Sequence, residues 1–238
     1  MTRFAVLFVL VAALFSACNT TPETPKNEET EKTAASKEKE AEKEVQVATV
    51  RGYAIGDIAE DFSLKNVDGK MVAMADYKDA KGFVVVFTCN HCPYSIAYED
   101  RLIKLNKEFK AKGYPMIAIN PNDPNMEAGK EDSYELMQVR AKEKGFNFPY
   151  LFDEGQKVFP KYGATKTPHC YVLQKSEAGL KVAYIGAVDD SKDAEGVSKT
   201  YLADAINALL AGKQPEPAET KAIGCGIKCK DESKLKKS

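Results

Sequence analysis

The sequence predicts an α/β domain with a central mixed β-sheet and helices on both faces, set behind a long polar leader. Three observations carry this. Gly82-Phe83-Val84-Val85-Val86-Phe87-Thr88 is a β-branched apolar run that reads as a buried strand. Apolar residues at helical spacing follow from Tyr94 to Lys112, and Tyr114 to Asn120 is a second apolar run. Strand, helix and strand in that order imply a right-handed crossover and parallel pairing. Between the first strand and the helix sits Cys89-Asn90-His91-Cys92-Pro93. Two thiols at a helix start are well placed for reactivity, because free N–H groups and the helix dipole stabilise a thiolate there.

The leader comes first in chain order. Arg3 is a basic start, and Phe4 to Leu14 is an apolar stretch too short to span a membrane comfortably. Phe15-Ser16-Ala17 then precedes Cys18, which is similar to the lipobox of bacterial lipoproteins. That likeness implies a signal peptide over residues 1–17, lipidation at Cys18 and a position in the cell envelope. Residues 18–49 are rich in Lys and Glu and almost free of apolar side chains, so they predict a disordered linker. The formal net charge of −1 suggests no nucleic-acid partner.

The folded part is expected over residues 50–212. Asp61 to Met74 reads as a hairpin turning at Asp68-Gly69. After the two strands and the first helix, whose apolar face is Tyr98, Leu102, Leu105 and Phe109, the pattern Asp132-x-x-Glu135 reads as a capping box. It opens a helix that ends near Gly145. Phe148 to Phe152 is a short strand, and Val158-Phe159 is a helical turn cut off by Pro160. Tyr171–Leu173 and Val182–Ile185 are strands, and Val197 to Leu210 is a last helix. Asp153 and Glu154 read as solvated loop residues. Residues 213–238 form a polar tail carrying Cys225 and Cys229.

Of six cysteines, five remain if Cys18 is lipidated: Cys89, Cys92, Cys170, Cys225 and Cys229. An odd number leaves at least one thiol free or paired between molecules. A wholly structural disulfide framework explains this poorly. Cys170 reads as a small buried core residue.

Asp61-Phe62-Ser63-Leu64, Val67-Asp68-Gly69-Lys70, the Cys89-to-Pro93 turn and Ala164-Thr165-Lys166-Thr167-Pro168 together resemble the redoxin branch of the thioredoxin superfamily. Gly224-Cys225-Gly226-Ile227-Lys228 resembles a tail pattern of peroxiredoxin-like members. The resemblance implies a thioredoxin-like fold and a thiol–disulfide oxidoreductase acting on disulfides of exported proteins. It makes Cys89 the attacking thiol, Cys92 the resolving thiol, and Cys89–Cys92 the redox disulfide. Pro168 becomes the cis-proline facing them. Partners would be protein thiols and disulfides, with an upstream redox partner in the membrane or envelope and no cofactor. His91 and His169 are expected to tune the pair by lowering the pKa of Cys89. Cys225 and Cys229 are a candidate secondary redox pair.

Two other chemistries use the same residues. Cys89 and Cys92 with His91 and His169 would suit copper or zinc. A peroxidase would use Cys92, which aligns with the reactive cysteine of peroxiredoxins. Those proteins place a threonine three residues and a proline seven residues before it, where this chain has Cys89 and Val85.

Overall fold

The computed structural model describes residues 52–235. The signal peptide, Cys18 and the linker predicted from the sequence lie outside the described residues. Eight strands form one sheet: β1 (Ile58–Ala59), β2 (Ser63–Asn66), β3 (Met71–Ala73), β4 (Gly82–Phe87), β5 (Met116–Asn120), β6 (Tyr150–Phe152), β8 (His169–Ser176) and β9 (Gly179–Gly186). Their spatial order is β1-β9-β8-β4-β5-β6-β2-β3. The predicted βαβ unit is present, since β4 and β5 pair in parallel with Val84 opposite Met116. The hairpin β2–β3 and the antiparallel pair β8–β9 also match the expectation. β1, absent from the reading of the sequence, adds an edge strand to β9.

The helices are α1 (Pro93–Lys110), α2 (Tyr134–Lys144), α3 (Phe159–Tyr162) and α4 (Tyr201–Leu210). β4 explains why helices cover both faces. All six of its residues are buried, and the five from Phe83 to Phe87 alternate between two apolar clusters. Phe83, Val85 and Phe87 join Tyr162, Tyr171 and Ile185 on one side. Val84 and Val86 join Tyr98, Leu102 and Phe109 of α1 and Leu202 and Ile206 of α4 on the other. A strand buried on both faces reads as a continuous apolar run.

Three local expectations are corrected. Pro160 does not end a helix; it lies in the first turn of α3, where its missing N–H has no helical partner to lose. Asp153 is not solvated: it is buried and accepts hydrogen bonds from the backbone N–H groups of Lys157, Val158 and Phe159 at 2.9–3.1 Å. Ser133, not Asp132, caps α2, its side chain accepting from Leu136 N–H at 3.3 Å.

The segment after α4 is built into the domain. Ile185 N–H donates to Ala218 O at 3.0 Å, and Thr220 N–H donates back to Ile185 O at 2.9 Å. The strand β10 (Cys225–Gly226) then pairs antiparallel with β7 (Lys166–Thr167), placing Cys225 opposite Thr167. Ile227 and Cys229 are buried in the Phe87–Tyr162 cluster. A polar composition hides this docking, because two apolar side chains and backbone pairing suffice to hold the segment.

Candidate active site

The cysteine turn begins where β4 ends. Thr88 N–H still donates to Ile119 O at 2.9 Å, so the chain leaves the sheet only after Thr88. Cys92 is the N-cap of α1 and Pro93 its first residue, with Ile96 N–H closing the first turn on Cys92 O at 2.9 Å. The helix start predicted for this pair is therefore where the structure has it. The opposing wall is the Thr167-Pro168 loop, whose peptide bond is cis as expected.

Thr167 is the point at which three cysteines meet. Its Oγ1 lies 3.2 Å from Cys89 Sγ in a hydrogen bond that either atom can donate. Its carbonyl oxygen lies 3.2 Å from Cys92 Sγ. Its backbone pairs with Cys225. Cys92 and Cys225 are joined as a disulfide with Cα atoms 6.0 Å apart, inside the usual range. Cys89 keeps a free thiol. The disulfide in this structure is thus not the expected Cys89–Cys92 bond. Nor are Cys225 and Cys229 a local pair: Cys229 is free and points to Asp231 O at 3.2 Å.

Cys89 and Cys92 are almost closed to solvent, at 3% and 0% exposure. Cys225 is partly exposed. Burial pushes the Cys89 thiol up, and the nearby Asp132 carboxylate pushes it the same way. Hydrogen bonds from Thr167, the Cys92 N–H and Ser95 oppose this without reversing it. The predicted lowering by histidine charge is therefore overturned in this disulfide state, where desolvation dominates. His91 faces Asp132, with Nδ1 2.6 Å from Oδ2. His169 lies on β8 opposite Phe87, and its ring packs against Tyr171 with centroids 4.9 Å apart. Cys170 is the core residue expected, fully buried beside Val84 and Val86, and burial raises its thiol too.

Asp132 belongs to the site, and the capping-box pattern concealed it. It is fully buried and accepts from Asn90 N–H at 2.7 Å and from Asn122 Nδ2 at 2.6 Å. Asn90 in turn donates through Nδ2 to Glu131 O and accepts from the Tyr150 hydroxyl at 2.9 Å. Asn122 reaches the tail, accepting Lys228 N–H at 2.8 Å on Oδ1. Gln156 holds the same tail residue: its Nε2 donates to Lys228 O at 2.8 Å and to Pro121 O at 2.7 Å. It does so from a left-handed backbone, φ 57°, unusual for a non-glycine residue.

Cys89, His91 and Asp132 bring a sulfur, a nitrogen and an oxygen within 4.8 Å of one another. As a metal centre this set is poor. The Asp132 oxygens already accept two hydrogen bonds and face His91. Cys92, the second expected sulfur ligand, is spent in the disulfide. A peroxide pocket is equally poor. Arg101 and Arg140 are ion-paired to Asp189 and Glu99 at 2.6 and 2.7 Å, and neither contact is at the cysteine turn.

Residues 55–185 match the AhpC/TSA family. The chain belongs to that family. Among solved structures it is similar to an uncharacterised conserved protein from Geobacillus kaustophilus, at 38% identity over 75% of this chain and 94% of the other, with a TM-score of 0.68. A hypothetical protein from Sinorhizobium meliloti is 31% identical over 76% of this chain and 97% of its own, also with a TM-score of 0.68. The thiol–disulfide oxidoreductase ResA of Halalkalibacterium halodurans is 26% identical over 127 residues. That match spans 53% of this chain and 66% of ResA, just under two thirds of its length. The first two cover the domain almost end to end, which supports the thioredoxin-like fold read from the strand order.

Proposed function

We propose that this protein is a thiol–disulfide oxidoreductase that acts on the disulfides of exported proteins through Cys89 and Cys92. One observation carries the reading: a free thiol and a disulfide lie side by side against Thr167, at a helix N-terminus. Exchange needs an attacking thiol, a disulfide sulfur and a leaving thiol, and the cysteine turn and the docked tail hold a thiol and a disulfide together. The family match and the similarity to ResA support the same chemistry.

In the reaction, Cys89 attacks a substrate disulfide and forms a mixed disulfide. Cys92 then attacks the Cys89 sulfur, closing Cys89–Cys92 and releasing the substrate thiol. The Thr167 hydroxyl, the Cys92 N–H and Ser95 stabilise the Cys89 thiolate as it forms. Pro168 shapes the wall that a substrate chain meets. The lipobox-like segment ending at Cys18 supports export and lipid anchoring. Among the described residues no helix is long and apolar enough to cross a membrane.

The test is reduction of insulin disulfides by the full chain in the presence of dithiothreitol. Wild-type protein should accelerate it and Cys89→Ser should abolish the acceleration. Equal turnover by Cys89→Ser would sink the reading.

A further inference from the structure

We propose that Cys225 is a third redox cysteine, which takes Cys92 from Cys89 and carries the disulfide to the protein surface. The inference rests on the oxidoreductase reading and adds a residue and a step to it. Three observations support it. Cys92, the resolving thiol of that reading, is bonded to Cys225 and not to Cys89. The tail is docked for this purpose by backbone pairing of Cys225 with Thr167, the residue that touches both other sulfurs. Of the three cysteines, only Cys225 reaches solvent.

The tail pattern is explained residue by residue. At Gly224 an added Cβ would lie 2.1 Å from Thr167 O, so only glycine lets the strand approach this closely. Ile227 anchors the strand in the core, its N–H donating to Thr165 O at 3.3 Å. Lys228 is fixed through its backbone to Asn122 and Gln156. Asn122 also donates to Asp132, which holds Asn90 of the cysteine turn. The tail and the turn therefore share one hydrogen-bonded network.

The exchange balances. After turnover the protein holds a Cys89–Cys92 disulfide. The Cys225 thiolate attacks the Cys92 sulfur; the Cys92–Cys225 bond forms and the Cys89–Cys92 bond breaks. Cys89 leaves as a thiolate and takes up the proton that Cys225 released. No electrons are gained or lost in this step. An external dithiol then attacks the sulfur of the partly exposed Cys225, and Cys92 leaves as a thiolate. The second thiol of the dithiol resolves that mixed disulfide and frees Cys225. The dithiol becomes a disulfide and the protein gains two electrons. Substrate thus meets Cys89 and reductant meets Cys225, and in the state described here the docked tail leaves Cys89 buried.

The experiment starts from fully reduced, full-length protein given one equivalent of glutathione disulfide. Samples are acid-quenched over time, alkylated, digested without reduction and analysed by mass spectrometry. The Cys89–Cys92 species should rise first and decay as the Cys92–Cys225 species grows to dominate. In Cys225→Ser, Cys89–Cys92 should accumulate and persist, while Cys229→Ser should follow the wild-type course. A wild-type course that stops at Cys89–Cys92, or that reaches Cys92–Cys225 with no Cys89–Cys92 precursor, overturns the relay and leaves the oxidoreductase reading standing. Absence of any disulfide involving Cys89 or Cys92 overturns both. The wild-type course decides the matter even if a variant folds poorly.

Discussion

At the residue scale the deciding contact is between Cys89 and its surroundings. A thiol that burial and a neighbouring carboxylate push up is mostly neutral at pH 7, so its alkylation should accelerate only above the ordinary thiol range of about 8.5. Labelling the oxidised protein with iodoacetamide across the neutral-to-alkaline range, and reading Cys89 by mass spectrometry, should show such a late midpoint. Asp132→Asn removes the negative charge and keeps the shape, so the midpoint should fall; a midpoint that does not move would show that burial alone sets it. The placement of Cys89, Cys92 and Pro168 at a helix start and a cis-proline loop is legible in the sequence because each sits within a few residues of a recognisable local pattern. Asp132 is not legible. Asp132-x-x-Glu135 satisfies a capping pattern, and nothing local distinguishes a cap from a carboxylate turned into a buried turn 42 residues away in the chain; only Ser133, one residue later, betrays where the helix begins.

At the element scale the question is how firmly the tail strand β10 is held on the domain. Besides the disulfide at Cys225, it is held by one short pairing with β7, the buried Ile227 and Cys229, and the backbone hydrogen bonds of Ile227 and Lys228. Gly224→Ala attacks this element alone. The new methyl would meet the Thr167 carbonyl at 2.1 Å and its carbon at 2.7 Å, backbone atoms that cannot swing aside. Overpacking of this kind costs about 1–3 kcal/mol, enough to loosen docking by roughly 5- to 150-fold. Hydrogen exchange should then show lost protection at Ile227 and Lys228 with β4 and β5 unchanged, and the share of Cys92–Cys225 should fall. Unchanged protection at those amides would show that the strand accommodates the methyl. The strands and helices of the domain are legible from period and punctuation, and β4, β5 and α1 fall within a few residues of their predicted ends. β10 is not, because a two-residue strand has no period and its partner lies 58 residues earlier in the chain. Cysteine pairing is likewise a tertiary fact that spacing alone does not determine.

At the scale of the whole molecule, the Cys92–Cys225 disulfide ties the start of α1 to the end of the chain across 133 residues. It encloses four of the eight strands of the sheet, β5, β6, β8 and β9, with α1, α2, α3 and α4. Constraining so long a loop removes much of the freedom of the unfolded chain, by about 4–5 kcal/mol in the loop-entropy model. The fold does not depend on that bond for its core, since β4, β5 and β8 are buried on both faces by side chains that the bond does not touch. Reduction should therefore lower stability and leave the domain folded. For a domain of this size, a loss of that order shifts the thermal midpoint by roughly 10–20 °C. Thermal unfolding of the wild-type protein with and without dithiothreitol should show the drop. Cys225→Ser should lose most of this difference, keeping only what a short Cys89–Cys92 loop contributes, and Cys229→Ser should keep it in full. A dithiothreitol effect of wild-type size in Cys225→Ser would place the stabilising bond elsewhere. The same arithmetic bears on turnover. A bond that rigidifies the resting protein is made and broken in every cycle of the proposed relay, so the reduced form is also the less stable one, and the tail that carries Cys225 is the element whose freedom grows when the bond is cut.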